Sequence, residues 1–264
     1  MTLEGWRIDE HDGLRLVRCQ ALESVPSVAH AFSTRHGKEN DPFDLGSHEA
    51  SGAEVDARRR RFCEAAGLGG QRATILQQVH GTAVLSVEGS AEAPIGPVAD
   101  GIVARRDSVA PGLVPAVRWA DCVPILLADR FGRCVAAVHA GWRGTAGGIV
   151  GQALRALRAQ GVGPADLIAA LGPAIGGCCY EVGEEVQSAV SRAVGADPKK
   201  LVRQGGMLDL RQAVRLQLER EGVGRRSIHV APWCTRCRED LFFSFRRDGG
   251  PSGRQMACIG WPQA

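Results

Sequence analysis

The stretch Leu113–Gly144, LVPAVRWADCVPILLADRFGRCVAAVHAGWRG, decides the fold. It holds three apolar runs of strand length, LVPAVRWAD, VPILLADRFG and CVAAVHAG, and the upstream DGIVARR makes a fourth strand candidate. Pro124 interrupts between LVPAVRWAD and VPILLADRFG. Immediately downstream, TAGGIVGQALRALRAQG places Ile149, Ala153, Leu154 and Leu157 at helical spacing and ends at Gly161. Strands that feed directly into an amphipathic helix are the pattern of an α/β fold.

Upstream, LRLVRCQAL and SVAHAFSTR read as strands, and a polar loop follows from Gly37 to Ser51. AEVDARRRRFCEAAGL reads as a helix with Val55, Phe62 and Ala66 inward, its four arginines forming a solvated face. ATILQQVHG and AVLSVEG, on either side of Gly81-Thr82, are expected to pair as a hairpin. Downstream, DLIAALG is a short strand, followed by helices in EVGEEVQSAVSRAVG and in LDLRQAVRLQLEREG, the latter with Leu210, Val214 and Leu218 inward. SIHVAPW, LFFSFRRD and RQMACIGW are expected to close the chain as strands. No segment reads as a linker or repeat. The expectation is a single α/β domain over residues 1–264, with mixed sheets flanked by helices.

Lys and Arg number 32 against 29 acids, a net charge of +3 that gives no footprint for nucleic acid. No apolar run approaches the roughly 18 residues that would span a membrane. MTLEGWRIDEHDG carries acids and no apolar core, so it does not read as a secretory signal. Nine cysteines, an odd number in mostly apolar surroundings, fit reduced thiols, and a cytoplasmic location is expected. The oligomeric state is not legible.

Three strand-like runs end in a residue able to hold a metal: His80, Cys122 and His139. Two imidazoles and a thiolate leave a fourth position open, the pattern of a catalytic zinc site. The same residues support a second reading. Cys122 is then a nucleophile with His139 as its base, oriented by Asp121 or another carboxylate. A thiolate serves both roles, and spacing does not choose between them. Arg35, Arg143 and the pair Arg246-Arg247 sit where strands pass into glycine-containing loops, positions suited to binding phosphate or carboxylate. GTAGG after Trp142-Arg143 is expected to open a helix and to offer backbone N–H groups to an anion. Cys234-Thr235-Arg236-Cys237 is a lone CxxC, and the adjacent Cys178-Cys179 pair sits in a loop; neither is expected to bind metal. Tyr180 either faces the site or caps the core.

Taken together, QQVHG, ADCVPILLAD, AVHAGWRGT, LGPAIGGCCYEVGEEV, CT and FFSFRRDGGPSGRQMACI resemble, in order and interval, the bacterial YfiH-like family, also called the polyphenol oxidase laccase-domain family. FSTRHGKENDPFDLGSH resembles its N-terminal pattern, and the likeness runs from Phe32 to Ile259. The resemblance implies a fold similar to that of a group of cysteine hydrolases. It implies a mononuclear site on His80, Cys122 and His139, with zinc as the expected metal and copper the older attribution. It also implies a purine nucleoside phosphorylase using phosphate with adenosine, inosine or methylthioadenosine, and some adenosine deaminase activity. The alternatives are a Cys–His amidohydrolase, such as one editing peptidoglycan precursors, and a copper-dependent phenol oxidase. Arg35, His48, Arg143 and Arg247 are the expected substrate-binding residues. The chain departs from the family at Asp44-Leu45-Gly46, where Asn-Leu-Gly is usual, and in His48-Glu49-Ala50-Ser51-Gly52. The loop around residues 37–53 is therefore expected to meet substrate in its own way.

Overall fold

The computed structural model describes residues 2–37, 42–46, 52–89, 96–109, 112–249 and 252–262. In chain order its strands are β1 (Thr2–Leu3), β2 (Trp6–His11), β3 (Leu14–Cys19), β4 (Ala29–Ser33) and β5 (Arg72–Thr74). There follow β6 (Val84–Gly89), β7 (Gly101–Val109), β8 (Leu113–Trp119), β9 (Val123–Asp129) and β10 (Cys134–Ala140). The last are β11 (Leu167–Leu171), β12 (Val202–Arg203), β13 (Met207–Leu208), β14 (Ile228–Val230) and β15 (Gln255–Gly260). The helices are α1 (Gln20–Glu23), α2 (Gly52–Cys63), α3 (Trp142–Gly147), α4 (Ile149–Ala159), α5 (Glu184–Val194), α6 (Leu210–Arg220) and α7 (Phe245–Asp248).

Every residue of β9 and β10 is buried, which is why both read as unbroken apolar runs. Their side chains alternate between two cores. Leu126, Ala128, Val135 and Ala137 pack toward Phe32, Val117, Trp119, Ala257 and Ile259 of the other sheet. Ile125, Leu127, Ala136 and Val138 face the opposite way, under Leu154 and Leu157 of α4, Val190 of α5 and Val214 of α6. A third core covers the far face of the other sheet, where Leu16, Val114 and Met256 meet Phe62 of α2. The layers run helix, sheet, sheet, helix. The first sheet has the order β1-β2-β3-β4-β15-β8-β5 and the second β14-β11-β9-β10-β7-β6. Both are mixed, with β5–β8, β6–β7 and β11–β14 parallel and the other pairs antiparallel. The mixed-sheet α/β architecture expected from the sequence is present, as are the inward faces of α2, α4 and α6. Among the described residues no helix is long and apolar enough to cross a membrane.

Three local expectations fail. The segments flanking Gly81 do not form a hairpin: β5 joins the first sheet beside β8, and β6 joins the second beside β7. LFFSFRRD is not a strand; Ser244 caps α7 by accepting from the Arg247 N–H at 3.2 Å. GTAGG does not open a helix either. The helix begins at Trp142 and stops at Gly148, whose φ of +87° is the left-handed conformation that glycine adopts without strain. The arginine face of α2 is only partly solvated: Arg59 lies largely buried and donates to the Leu45 carbonyl at 3.0 Å.

Candidate active site

One edge of the second sheet gathers the site. Because β9 and β10 are antiparallel, the start of one lies beside the end of the other, with His139 opposite Pro124 and Ala140 opposite Val123. Cys122, just before β9, therefore meets His139, at the end of β10. On the other side of β10, Val138 pairs with Gly101 of β7, so Asp100 arrives next to His139. The ladder continues one step further, with the His139 N–H donating to the Asp100 carbonyl at 2.7 Å. His80 precedes β6, the parallel neighbour of β7. Three ligating atoms, one each from His80, Cys122 and His139, lie within 4.8 Å of one another. The two imidazoles meet edge to face, with centroids 4.9 Å apart.

Asp100 organises this cluster, and the sequence reading missed it. Its carboxylate is completely buried and takes four hydrogen bonds. Oδ1 accepts from His139 Nδ1 at 2.9 Å and from the His80 N–H at 3.0 Å. Oδ2 accepts from the Gly81 N–H at 2.7 Å and the Val79 N–H at 3.2 Å. Burial alone would push this acid up, but the His139 bond and the backbone N–H groups hold it below the ordinary aspartate value. An ionised carboxylate only accepts, so Nδ1 of His139 carries a proton, and Nε2 is the nitrogen left for the site, with a lone pair whenever the ring is neutral. The carboxylate expected to orient the imidazole is thus Asp100. Asp121 is held elsewhere, accepting from Thr235 Oγ1 at 2.6 Å and the Arg246 N–H at 2.7 Å. Those bonds hold Asp121 at a φ of +82°, which aims the chain from β8 into Cys122. His80 also has positive φ, +59°.

Burial would raise the Cys122 thiol, but His139 and His80 outweigh it and bring the thiol down to about 6. Burial would likewise lower His139, yet Cys122 and Asp100 carry it up to about 9. With no metal bound, the pair is a thiolate and an imidazolium. The glycines of HAGWRG follow from this packing. A Cβ on Gly141 would lie 2.9 Å from His80 Cδ2 and 3.1 Å from Cys122 Sγ, and one on Gly144 would lie 2.8 Å from the Gly81 carbonyl. The stretch needs glycine because the ligands rest directly on its backbone.

Around the cluster, Arg143 is exposed, stacks on Trp142 with 4.4 Å to the ring centroid, and makes no hydrogen bond or ion pair with a described residue. Arg246 lies over the Tyr180 ring at 5.0 Å. Burial first, and then the Cys122 thiolate, push the Tyr180 phenol up to about 12, so it stays protonated and able to donate. Tyr180 packs on the helical core, and Arg246, which lies over its ring, donates its N–H to Asp121 beside Cys122. Arg247 does not reach the cluster: it donates to the carbonyls of Phe242 at 2.9 Å and Thr235 at 3.1 Å and pairs with Asp248 at 2.8 Å. Arg35 lies over Phe243 at 5.0 Å and donates to the Glu239 carbonyl at 3.1 Å. His48 lies outside the described residues. Asp44, at the departure from the family pattern, accepts from the N–H groups of Gly46 and Arg254, each at 2.7 Å, and so closes its own loop.

Residues 29–262 match a family described as multi-copper polyphenol oxidoreductase laccase. The chain is 36% identical over 261 residues to the purine nucleoside phosphorylase YlmD of Geobacillus stearothermophilus, covering 92% of this chain and 93% of that protein. It is 38% identical over 256 residues to a purine nucleoside phosphorylase of Deinococcus radiodurans, covering 95% and 94%. The crystal structure of Geobacillus stearothermophilus YlmD superposes with a TM-score of 0.84 at 32% identity, over 99% of this chain and all of that one. The crystal structure of Bacillus licheniformis YfiH gives 0.84 at 29% identity, over 98% and 100%.

Proposed function

The chain belongs to the laccase-domain family that includes YlmD and YfiH, and from that membership we propose that it is a purine nucleoside phosphorylase built on a zinc site. The observation that carries this reading is the convergence of His80, Cys122 and His139 around a tautomer held by Asp100. Two imidazoles and a thiolate suit zinc, and the buried carboxylate behind one imidazole is the usual outer partner of a zinc-bound histidine. A zinc ion held by these three side chains supplies Lewis acidity.

The reaction converts adenosine and phosphate into adenine and ribose 1-phosphate: a phosphate oxygen bonds to C1′, the bond from C1′ to the base breaks, and the base leaves with a proton. Arg143 is assigned to the phosphate because its guanidinium is exposed, rigidified on Trp142 and uncommitted to a described protein acceptor. The protonated phenol of Tyr180 is assigned as a hydrogen-bond donor to substrate, with Arg246 behind its ring. Inosine and methylthioadenosine are expected as further substrates, and deamination of adenosine as a side reaction. Purified protein given adenosine and phosphate should release adenine and ribose 1-phosphate in equal amounts. Release of neither from zinc-loaded protein refutes the assignment.

One observation favours a second reading. Cys122, His139 and Asp100 stand in the order thiol, imidazole, carboxylate that a thiol hydrolase requires. On that reading a chelator spares or raises amide hydrolysis, and alkylation of Cys122 abolishes it without metal. For a copper oxidase of several metal ions the imidazoles are too few: among the described residues only His80 and His139 converge. His30 is committed to accepting the Cys19 N–H at 2.9 Å, and His36 contacts the Asp240 carbonyl.

A further inference from the structure

Beyond β11 and β14, at the same edge of the second sheet, a second group of metal-binding side chains comes together. β11 and β14 are parallel neighbours, and a bridge from Ala174 to Cys234 prolongs their pairing past the strand ends. The Thr235 N–H donates to the Ala174 carbonyl at 3.1 Å. Each chain then turns: the Tyr180 N–H closes onto the Gly176 carbonyl at 3.0 Å, and the Arg238 N–H onto the Cys234 carbonyl at 3.0 Å. Cys178 and Cys179 lie in the first turn, Cys234 and Cys237 in the second. Their sulfurs all lie within 4.8 Å of one another. Cys237 Sγ is 3.6 Å from Cys178 Sγ and 3.3 Å from Cys179 Sγ. Cys234 Sγ accepts the Gly176 N–H at 3.2 Å.

Four thiolates at about 2.3 Å from one tetrahedral ion sit about 3.8 Å from each other, which is the scale of this cluster. A pair of disulfides accounts for it less well. Cys237 is shared between two neighbours at near-equal distance, and a sulfur can bond to only one partner. The N–H donated to Cys234 is the kind of outer contact that supports a metal-bound thiolate. We infer that Cys178, Cys179, Cys234 and Cys237 form a closed tetrathiolate site for one structural zinc ion. Unlike the three-ligand cluster, it offers four protein ligands and no open position.

The placement indicates what the ion does. Tyr180 directly follows Cys179, and Thr235 lies between the two cysteines of the second turn. Thr235 holds Asp121, the residue before Cys122, and the Tyr180 ring lies under Arg246, whose N–H the same Asp121 accepts. One zinc ion therefore staples together the two loops that frame the catalytic cluster, and its binding energy adds to the stability of that edge.

The test counts zinc. Full-length protein, loaded with excess zinc under reducing conditions and desalted, should retain two zinc ions per chain by elemental analysis. Cys178→Ser/Cys237→Ser should retain one, and so should Cys122→Ala, which leaves the tetrathiolate intact. Cobalt-loaded Cys122→Ala should show intense thiolate-to-metal charge-transfer bands in the near ultraviolet. The proposal is overturned if Cys122→Ala holds no metal or Cys178→Ser/Cys237→Ser holds as many ions as the wild type. It is also overturned if the mass of untreated protein is low by two or four hydrogens through disulfides in this cluster. Because Cys122→Ala is read independently, a failure of the double variant to fold does not protect the idea. Failure of phosphorolysis would leave these counts unchanged.

Discussion

Replacing Asp100 with asparagine preserves the shape of the side chain and removes half of its accepting capacity. The carboxylate takes four donors, two on each oxygen, at 2.7–3.2 Å. Asparagine has one oxygen, so whichever way its amide turns, two of the four N–H groups face another N–H2. Hydrogen bonds to a charged group are worth about 1.5–3 kcal/mol each, so two such losses come to roughly 3–6 kcal/mol. Part falls on folding, because the segment Val79–Gly81 loses its anchor. Part falls on metal retention, because an amide donating to Nδ1 would move the histidine proton to Nε2, where the metal must bind. Loss of such an outer partner costs about 10–100-fold in metal affinity. The assay is zinc competition against a chromophoric chelator, paired with denaturant unfolding, with Asp129→Asn as the control. Asp129 is equally buried but bonds Arg133 at the other end of β9, so its loss should lower stability and leave zinc affinity within twofold. An Asp100→Asn protein that binds zinc as tightly as wild type would refute the reasoning.

Gly141→Ala should fold yet lose zinc affinity at least tenfold, since the new methyl displaces His80 and Cys122; competition by the same chelator reads it. Arg143→Ala should raise the KM for phosphate by tenfold or more with little change in unfolding midpoint. Arg247→Ala should do the reverse, costing about 2 kcal/mol of stability through lost bonds to carbonyls. Burial, then Arg18, holds His30 down to about 3 from an unfolded value of 6.5, so it stays neutral in the fold and charges on unfolding. The unfolded chain thus binds the extra proton below pH 6.5, and stability falls with pH from there to about 3. The loss at pH 5 is about 2 kcal/mol relative to pH 7. His30→Gln, which can still accept from Cys19, should lack this portion of the acid dependence in urea titrations at the two pH values.

The sequence alone determined the elements whose signal is local. Seven-residue apolar runs became β9 and β10, and apolar residues at helical spacing became the inner faces of α2, α4 and α6. His80, Cys122 and His139 were also legible, because each is a metal-binding type standing at the end of an apolar run. Asp100 was not: an aspartate before a strand resembles any turn residue until the register of β7 against β10 sets it beside His139. Spacing could not tell Arg246 from Arg247, because α7, not a strand, sends the two in different directions. CTRC looked like a lone CxxC because its partners lie 58–59 residues away, brought close only by the parallel pairing of β11 with β14. Residue type and periodicity are carried by neighbours along the chain. Which buried acceptor meets which donor, and which thiols share a space, is decided by strand register between distant segments, and that exists only in the folded molecule.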